Sequence, residues 1–301
     1  MAKAFHGYIT TSLIFILFLV TIFGYISYPE RSEAEKETAK ETTYLHTGSY
    51  VLVHLDQMIV ELRSGTTTLT TFPIVSKGKP GSYYETIGGY YINDYKTPLH
   101  FSSFGHVYMP YSVHIFGNFF IHGIPYYPDG EKVSSSYSGG CIRLEDIDAK
   151  KVYDFVNKNT PIIITQGNEY DFKPFATSTQ ILESMEMTKL MIATISLEFL
   201  NQDDEIVLPA GTTTRLALIR KLLQDNNLTT NKLHTRTLGE KAFIEYMNKK
   251  AQALGLTNTT FVDVTQPTRT TNPEYERFME HINTYKSYLK LQASSTPRVS
   301  Q

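Results

Sequence analysis

From Tyr50 onward the chain is built of short stretches in which apolar residues alternate with polar ones or run together for a few positions. Tyr50 to Leu55 and Gln57 to Leu62 read as two strands joined at Asp56, with Arg63-Ser64-Gly65 as the next turn. Strand-like, aromatic-rich runs continue to Ile121, punctuated by Gly78, Pro80, Gly81, Gly88, Gly89, Pro98, Gly105, Pro110 and Gly117. Residues 145–157 then read as one short helix. A polar break from Gln166 to Lys173, closed by Pro174, ends this part, and beyond it the spacing becomes helical. Ile181, Leu182, Met185, Leu190, Ile192, Ile195, Leu197 and Leu200 predict one helix across Ser178 to Leu200. Residues 212–224 and 239–254 predict two more, with Leu254-Gly255 as a helix end. Lys249, Lys250 and Glu245 read as a solvated helix face.

The pattern thus predicts a β-rich unit over 47–167, a linker at 168–177, and an α-rich α/β unit over 178–291. The Ser-, Thr- and Pro-rich tail 292–301 reads as disordered. At the other end, Ala4 to Tyr28 contains no Asp, Glu, Lys or Arg, and Ile9 to Tyr28 as a helix would span roughly 30 Å, a bilayer core. Lys3 precedes it, while Glu30, Arg31, Glu33, Glu35 and Glu37 follow. No Ala-x-Ala cleavage site is present, so 8–28 reads as a single-pass anchor rather than a cleaved leader. Residues 1–7 are then a cytoplasmic stub, 29–46 a charged linker, and everything beyond lies outside the cytoplasmic membrane.

A net charge of −2 gives no basic footprint for nucleic acid. The nine histidines show no His-x-x-x-His spacing, and there is no Cys-x-x-Cys, so neither a metal nor another cofactor is expected. Cys141 is the single cysteine and cannot form an intramolecular disulfide. It follows Ser138-Gly139-Gly140 and precedes Ile142-Arg143, with His122-Gly123 upstream. A thiol of ordinary pKa is only about 3% ionised at neutral pH, and a neighbouring imidazolium would raise that fraction. Glycines before the cysteine let successive N–H groups converge where an oxyanion would form. A lone thiol, a nearby base and such donors are the parts of covalent acyl transfer. The bland alternative is a buried structural cysteine beside an unrelated histidine.

At these residues the sequence resembles the catalytic domain of L,D-transpeptidases, the YkuD-type domain. The family pattern is His-Gly or His-Ser, a variable loop, then Ser-His-Gly-Cys, an apolar residue and Arg or Asn. His122-Gly123 and Ser138-x-Gly140-Cys141-Ile142-Arg143 fit it. Tyr84 to Ile92, Met109-Pro110-Tyr111 and Phe119 to Gly123 resemble the segments leading into the site, and the likeness covers roughly 47–167. The departure is Gly139, where the family usually carries a second histidine.

The resemblance implies a mixed β-sandwich with one short helix and a thioester mechanism on peptidoglycan stem peptides. Cys141 would attack the carbonyl of the third stem residue and expel D-Ala, and a side-chain amine of a second stem would then attack the thioester, giving a 3–3 cross-link. His122 would be general base and then acid, the Gly123 carbonyl would orient it, and the backbone N–H groups of Gly140 and Cys141 would form the oxyanion hole. Arg143 would hold a substrate carboxylate or anchor its loop. Ser138, Tyr108 and Met109 would line the substrate pocket. Water in place of the amine would make the protein an L,D-carboxypeptidase, and loss of both activities would make it a peptidoglycan-binding scaffold.

Residues 178–291 resemble the penicillin-binding serine D-alanyl-D-alanine carboxypeptidases. Met187-Thr188-Lys189-Leu190-Met191 and Phe243 to Phe261 carry that likeness. The active site does not carry over: Glu186 stands where the serine belongs, Gln224-Asp225-Asn226-Asn227 replaces Ser-x-Asn, and no Lys-Thr-Gly follows. The expectation is a truncated, inactive relative that binds stem peptides, docks a cell-wall partner protein or acts as a brace.

Overall fold

The structure, a computed structural model, describes residues 48–166, 180–208, 211–224 and 228–289. The expected anchor at 8–28, with its flanks 1–7 and 29–46, lies outside the described residues, as do the linker 168–177 and the tail 292–301. Among the described residues no helix is long and apolar enough to cross a membrane.

Two sheets form the first part. One has the order β3-β2-β1-β9-β4, from β1 (Ser49–His54), β2 (Ile59–Ser64), β3 (Thr67–Pro73), β4 (Gly89–Ile92) and β9 (Pro161–Thr165). The other has the order β5-β6-β7-β8, from β5 (Lys96–Ser102), β6 (Val107–Phe116), β7 (Phe119–His122) and β8 (Ile142–Arg143). β9 sits between β1, which it pairs in parallel, and β4, which it pairs in antiparallel fashion. That central position explains its unbroken Ile162-Ile163-Ile164, buried on both faces. The turn between β1 and β2 is wider than the single Asp56 expected, running through Leu55 to Met58, with Met58 at φ 56°. The one short helix, α1 (Asp146–Phe155), buries Ala149 and Val152 and places Asp146 and Asp148 in its first turn, where the N-terminal dipole favours them.

The second part holds α2 (Met185–Phe199), α3 (Arg215–Gln224), α4 (Leu228–Thr235), α5 (Glu240–Ala253) and α6 (Asn272–Tyr285). Two small antiparallel sheets accompany them: β10 (Ile181–Ser184) with β13 (Thr268–Thr271), and β11 (Glu205–Leu208) with β12 (Gly211–Thr214). The continuous helix expected from Ser178 is corrected here: Ile181 and Leu182 belong to a strand, and Ile181 is exposed. Ser184 ends that strand and caps α2, its hydroxyl accepting from the Met187 N–H at 3.1 Å. Helix α2 is buried from Met187 to Glu198, which is why its sequence is apolar nearly all round. The predicted stop at Leu254-Gly255 is where α5 ends, with Gly255 at φ 71°.

From Gly48 onward the chain forms one compact unit. Val51, Tyr91, Phe116 and Ile164 of the first part share one apolar core with Met191, Ile195, Phe243 and Tyr285 of the second. Gly88 shows how close the approach is: the Tyr285 ring occupies the place a Cβ would take.

Three histidines are held neutral inside this unit. His122, His234 and His281 are at most 1% exposed. Burial lowers His122 to about 4 and His234 to about 3, and lowers His281 as well, with nearby cations adding to each shift. The unfolded chain therefore takes up protons near pH 6.5 that the native state refuses, so stability is full above that pH and falls as pH drops toward 4. At pH 5.5, one unit below the ordinary imidazole value, each histidine contributes a loss on the order of 1 kcal/mol. The urea midpoint is expected to be clearly lower at pH 5.5 than at 7.5; equal midpoints would contradict three neutral histidines.

Candidate active site

The parallel pairing of β7 with β8 assembles the site. Ile121 is opposite Ile142 and His122 opposite Arg143. Ile121 and Ile142 point into the main core and are fully buried. Strand alternation therefore sends Phe120, His122, Cys141 and Arg143 to the other face. There, Val107, Met109, Phe120 and Cys141 form a second apolar cluster. A cavity of about 360 Å³ opens beside it and is lined by Cys141, His122, Arg143, Ser138, Gly139 and Met109, among others.

His122 is 1% exposed and its Nδ1 is 2.6 Å from the Gly123 carbonyl oxygen. With Nδ1 donating to that carbonyl, Nε2 keeps its lone pair. Gly123 itself cannot be larger, because Asp146 Oδ1 would lie 2.5 Å from a Cβ there. Asp146 Oδ1 also accepts from the Ile124 N–H at 2.8 Å, tying α1 to the loop after the histidine. Burial raises the Cys141 thiol to about 11, against the pull of the Phe120 N–H and the Arg143 charge. The thiol donates to the Asn118 carbonyl at 3.6 Å. Both shifts favour the uncharged forms, so the resting pair is thiol and neutral imidazole. Desolvation of both groups thus works against the imidazolium-induced thiolate expected from the sequence.

Several expected roles change. The Gly140 N–H, assigned to the oxyanion hole, donates to Ser138 Oγ at 3.0 Å. Ser138 lines the cavity as expected, but its hydroxyl is engaged: the same Oγ donates to the Cys141 carbonyl at 2.5 Å, closing the turn around Cys141. The N–H groups of Gly139 and Cys141 make no hydrogen bond among the described residues and are the donors left to face a substrate. Arg143 anchors its loop, its Nη1 donating to the Ser135 carbonyl at 3.2 Å and hydroxyl at 3.0 Å. Its buried Nε has no partner among the described residues. Tyr108 does not line the cavity, unlike its neighbours Val107 and Met109, and its ring packs against Phe101 and Tyr126.

The two glycines before the cysteine differ. Gly140 has φ 109°, and the Phe119 ring fills the place of a Cβ. Its carbonyl accepts from Thr86 Oγ1 at 2.9 Å, which in turn accepts from the Gly78 N–H at 2.8 Å. Gly139 faces open space, with nothing within 4 Å of a Cβ. Gly140→Ala is expected to cost about 1–3 kcal/mol, from strain at positive φ and overpacking. Gly139→Ala is expected to stay within about 0.5 kcal/mol of the parent. Thermal melts of the two variants side by side check this, and equal losses would refute it.

The cavity also contains residues that the sequence reading did not assign. His100, Phe101 and Phe104 reach it from the β5–β6 hairpin, Asn118 and Phe119 from the β6–β7 turn, and Leu197, Glu198, Leu200 and Gln202 from the end of α2. The last group carried one readable signal: Glu198 stands in the apolar run Ile195-Ser196-Leu197-Glu198-Phe199-Leu200, where a charge needs a partner. Lys250, read as solvated, is that partner; it is 0% exposed and 2.9 Å from Glu198 Oε1. Lys249 does lie on the exposed face, paired with Glu245 at 2.8 Å.

The family model of the L,D-transpeptidase catalytic domain (YkuD) matches residues 48–164. The β-rich part of the chain is thus a YkuD-like domain. Among solved structures, a fused Zn-dependent amidase/peptidase/peptidoglycan-binding domain-containing protein from Clostridium acetobutylicum is 22% identical, covering 46% of this chain and 63% of its own, with a TM-score of 0.34. An L,D-transpeptidase from Mycobacterium smegmatis is 21% identical over 39% of this chain and 58% of its own, TM-score 0.33. One from Stackebrandtia nassauensis is 21% identical over 41% and 57%, TM-score 0.34. The chain covers less than two thirds of the length of each. Among curated proteins there is no match.

Proposed function

We propose that the protein is a peptidoglycan L,D-transpeptidase that forms 3–3 cross-links, or attaches another acceptor amine, through a Cys141 thioacyl-enzyme. The observation that carries this reading is the placement of Cys141 and His122 in one cavity, inside the segment that matches the catalytic domain. In the acylation step, the thiol proton passes to His122 Nε2 as Cys141 Sγ bonds to the donor carbonyl carbon. The C–N bond to D-Ala then breaks, and the leaving amine takes the proton back from His122. In the second step the acceptor amine attacks the thioester, gives its proton to His122, and Cys141 is released as thiol. The N–H groups of Cys141 and Gly139 serve the oxyanion in this scheme, and Gly123 holds the imidazole for both transfers.

The reading extends to the remaining parts of the chain. Residues 8–28 anchor the protein in the cytoplasmic membrane with the catalytic part outside, where peptidoglycan stems lie. Residues 178–291 derive from a serine carboxypeptidase that has lost its chemistry. Glu186 there accepts from the Tyr275 hydroxyl at 2.9 Å instead of supplying a nucleophile.

The test is to incubate the protein with a disaccharide-tetrapeptide, with and without an acceptor amine, and to follow intact mass and released products. An adduct on Cys141 with D-Ala release and an amine-dependent dimer supports transfer. Tripeptide release that is indifferent to the amine means L,D-carboxypeptidase activity. A folded protein with an alkylatable thiol and no adduct means a scaffold.

A further inference from the structure

Directly behind the catalytic cavity lies a buried ion cluster. Lys250 Nζ donates to Glu198 Oε1 at 2.9 Å and to the Tyr91 hydroxyl at 2.6 Å, and Lys286 Nζ is 3.4 Å from the same Glu198 oxygen. The three charged side chains are between 0% and 2% exposed. Aromatic rings complete the enclosure: Lys250 faces Tyr91 at 5.2 Å and Phe116 at 5.7 Å, and Lys286 faces Phe119 at 5.4 Å. Lys250 is held by two hydrogen bonds, whereas Lys286 Nζ and Glu198 Oε2 make none among the described residues, so Lys286 is tied by charge alone and removing Glu198 would leave two buried cations uncompensated.

Two hydrogen bonds connect the backbone of Glu198, whose side chain anchors the cluster, to the sulfur. Glu198 is in the last turn of α2, where helix carbonyls lack intrahelical partners. Its carbonyl accepts from the Asn118 N–H at 3.0 Å. The Asn118 carbonyl in turn accepts from the Cys141 thiol. Gly117, with φ 60°, makes the approach possible, since a Cβ there would collide with the Glu198 carbonyl. Phe119, the next residue, places one ring edge against Gly140 and one face under Lys286. A short turn between two strands would ordinarily be among the mobile parts of a fold. Here it is pinned on one side by the helix end and on the other by the nucleophile's own loop.

We infer that Glu198 is a positioning residue for Cys141, and that residues 180–289 belong to the catalytic apparatus through the buried Glu198–Lys250–Lys286 cluster. Glu198 acts through the turn 117–119: it fixes the Asn118 carbonyl that aims the thiol and the Phe119 ring that seats Gly140. The inference rests on Cys141 being the nucleophile proposed above, but thiol reactivity tests it without any peptidoglycan substrate.

The experiment measures alkylation of Cys141 by iodoacetamide from pH 6 to 10.5 on three proteins: the wild type, the uncharged triple variant Glu198→Gln/Lys250→Met/Lys286→Met, and Gly117→Ala, which disturbs the same link from the turn side. Near-ultraviolet circular dichroism checks each fold. Releasing the turn lets water reach the sulfur, so the rate at pH 7.5 is expected to rise at least about tenfold in both variants, as a one-unit fall in thiol pKa requires. Rates within twofold of wild type in either folded variant overturn the inference. Hydrogen exchange on the wild type decides the matter if neither variant folds. The Asn118 amide is expected to be protected as strongly as the amides of α2, and exchange like that of an exposed turn refutes the link. Coupled alkylation without any stem-peptide adduct would sink the proposed function and leave only the link between the cluster and the thiol, stripped of its catalytic meaning.

Discussion

Replacing Cys141 by alanine is expected to lower turnover by about 10⁴-fold or more, because no other group in the chain can take its place. The sequence holds one thiol, and Ser138, the nearest hydroxyl in the loop, is bonded on both sides to the turn that carries the cysteine. The intact mass of the variant should show no adduct with a donor stem. The pH dependence of the wild type carries a second, sharper expectation. With the thiol near 11 and the imidazole near 4, the pair is neutral across the whole physiological range. Proton transfer to His122 then accompanies attack on the carbonyl, rather than preceding it. Acylation of Cys141 by a donor stem, read by intact mass in a single turnover, should be flat from about pH 5 to pH 10, while alkylation by iodoacetamide, which needs free thiolate, should climb about tenfold per pH unit up to pH 10. Alkylation that is already fast and flat above pH 5 would mean a preformed thiolate–imidazolium pair, and would overturn the neutral resting state.

Cys141 and His122, the proposed nucleophile and base, stood out because their residue types are written in neighbouring positions. Cys141 is unique, glycines precede it, and His122-Gly123 follows the apolar run Phe119 to Ile121. The first strands were legible from their short apolar runs, and β9 only through the family resemblance. What the sequence left open was everything decided across long separations. Gly140 and Cys141 look equally able to offer an N–H until Ser138 Oγ is seen to take one of them. Tyr108 and Met109 look equally near the site until Met109 is seen to line the cavity and Tyr108 to pack against Phe101 and Tyr126. Lys249 and Lys250 look alike in a helical pattern, yet a step of one residue turns Lys250 inward to Glu198 and Tyr91, 52 and 159 positions away. The expected helix start at Ser178 failed for a local reason. Ile181 and Leu182 fit a helical spacing as well as a strand, and pairing with Thr270 and Thr271 decides for the strand.

A chain cut after residue 166 is expected not to fold, although the match to the catalytic domain ends at 164. A separable domain would bury its own apolar surface, and this one does not. Tyr91, Phe116 and Phe119 are buried at 3%, 9% and 4% in the whole chain, and their covering groups lie in residues 180–289. Phe199 packs edge-on to Phe116 at 4.9 Å, Lys250 holds the Tyr91 hydroxyl, and Tyr285 rests on Gly88. Exposing the three aromatic side chains costs about 1.5–3 kcal/mol each by area alone. That sum, near 4–9 kcal/mol, is comparable to the whole stability of an ordinary domain. The β6–β7 turn would lose its helix anchor in the same cut, and Cys141 its ordered acceptor. The measurement is a thermal melt of the fragment 48–166 beside the fragment 48–289, by circular dichroism. The longer fragment should melt cooperatively, and the shorter should show no transition. A cooperative melt of the shorter fragment, with iodoacetamide reactivity like that of the longer, would mean two independent domains, as the sequence pattern alone predicts.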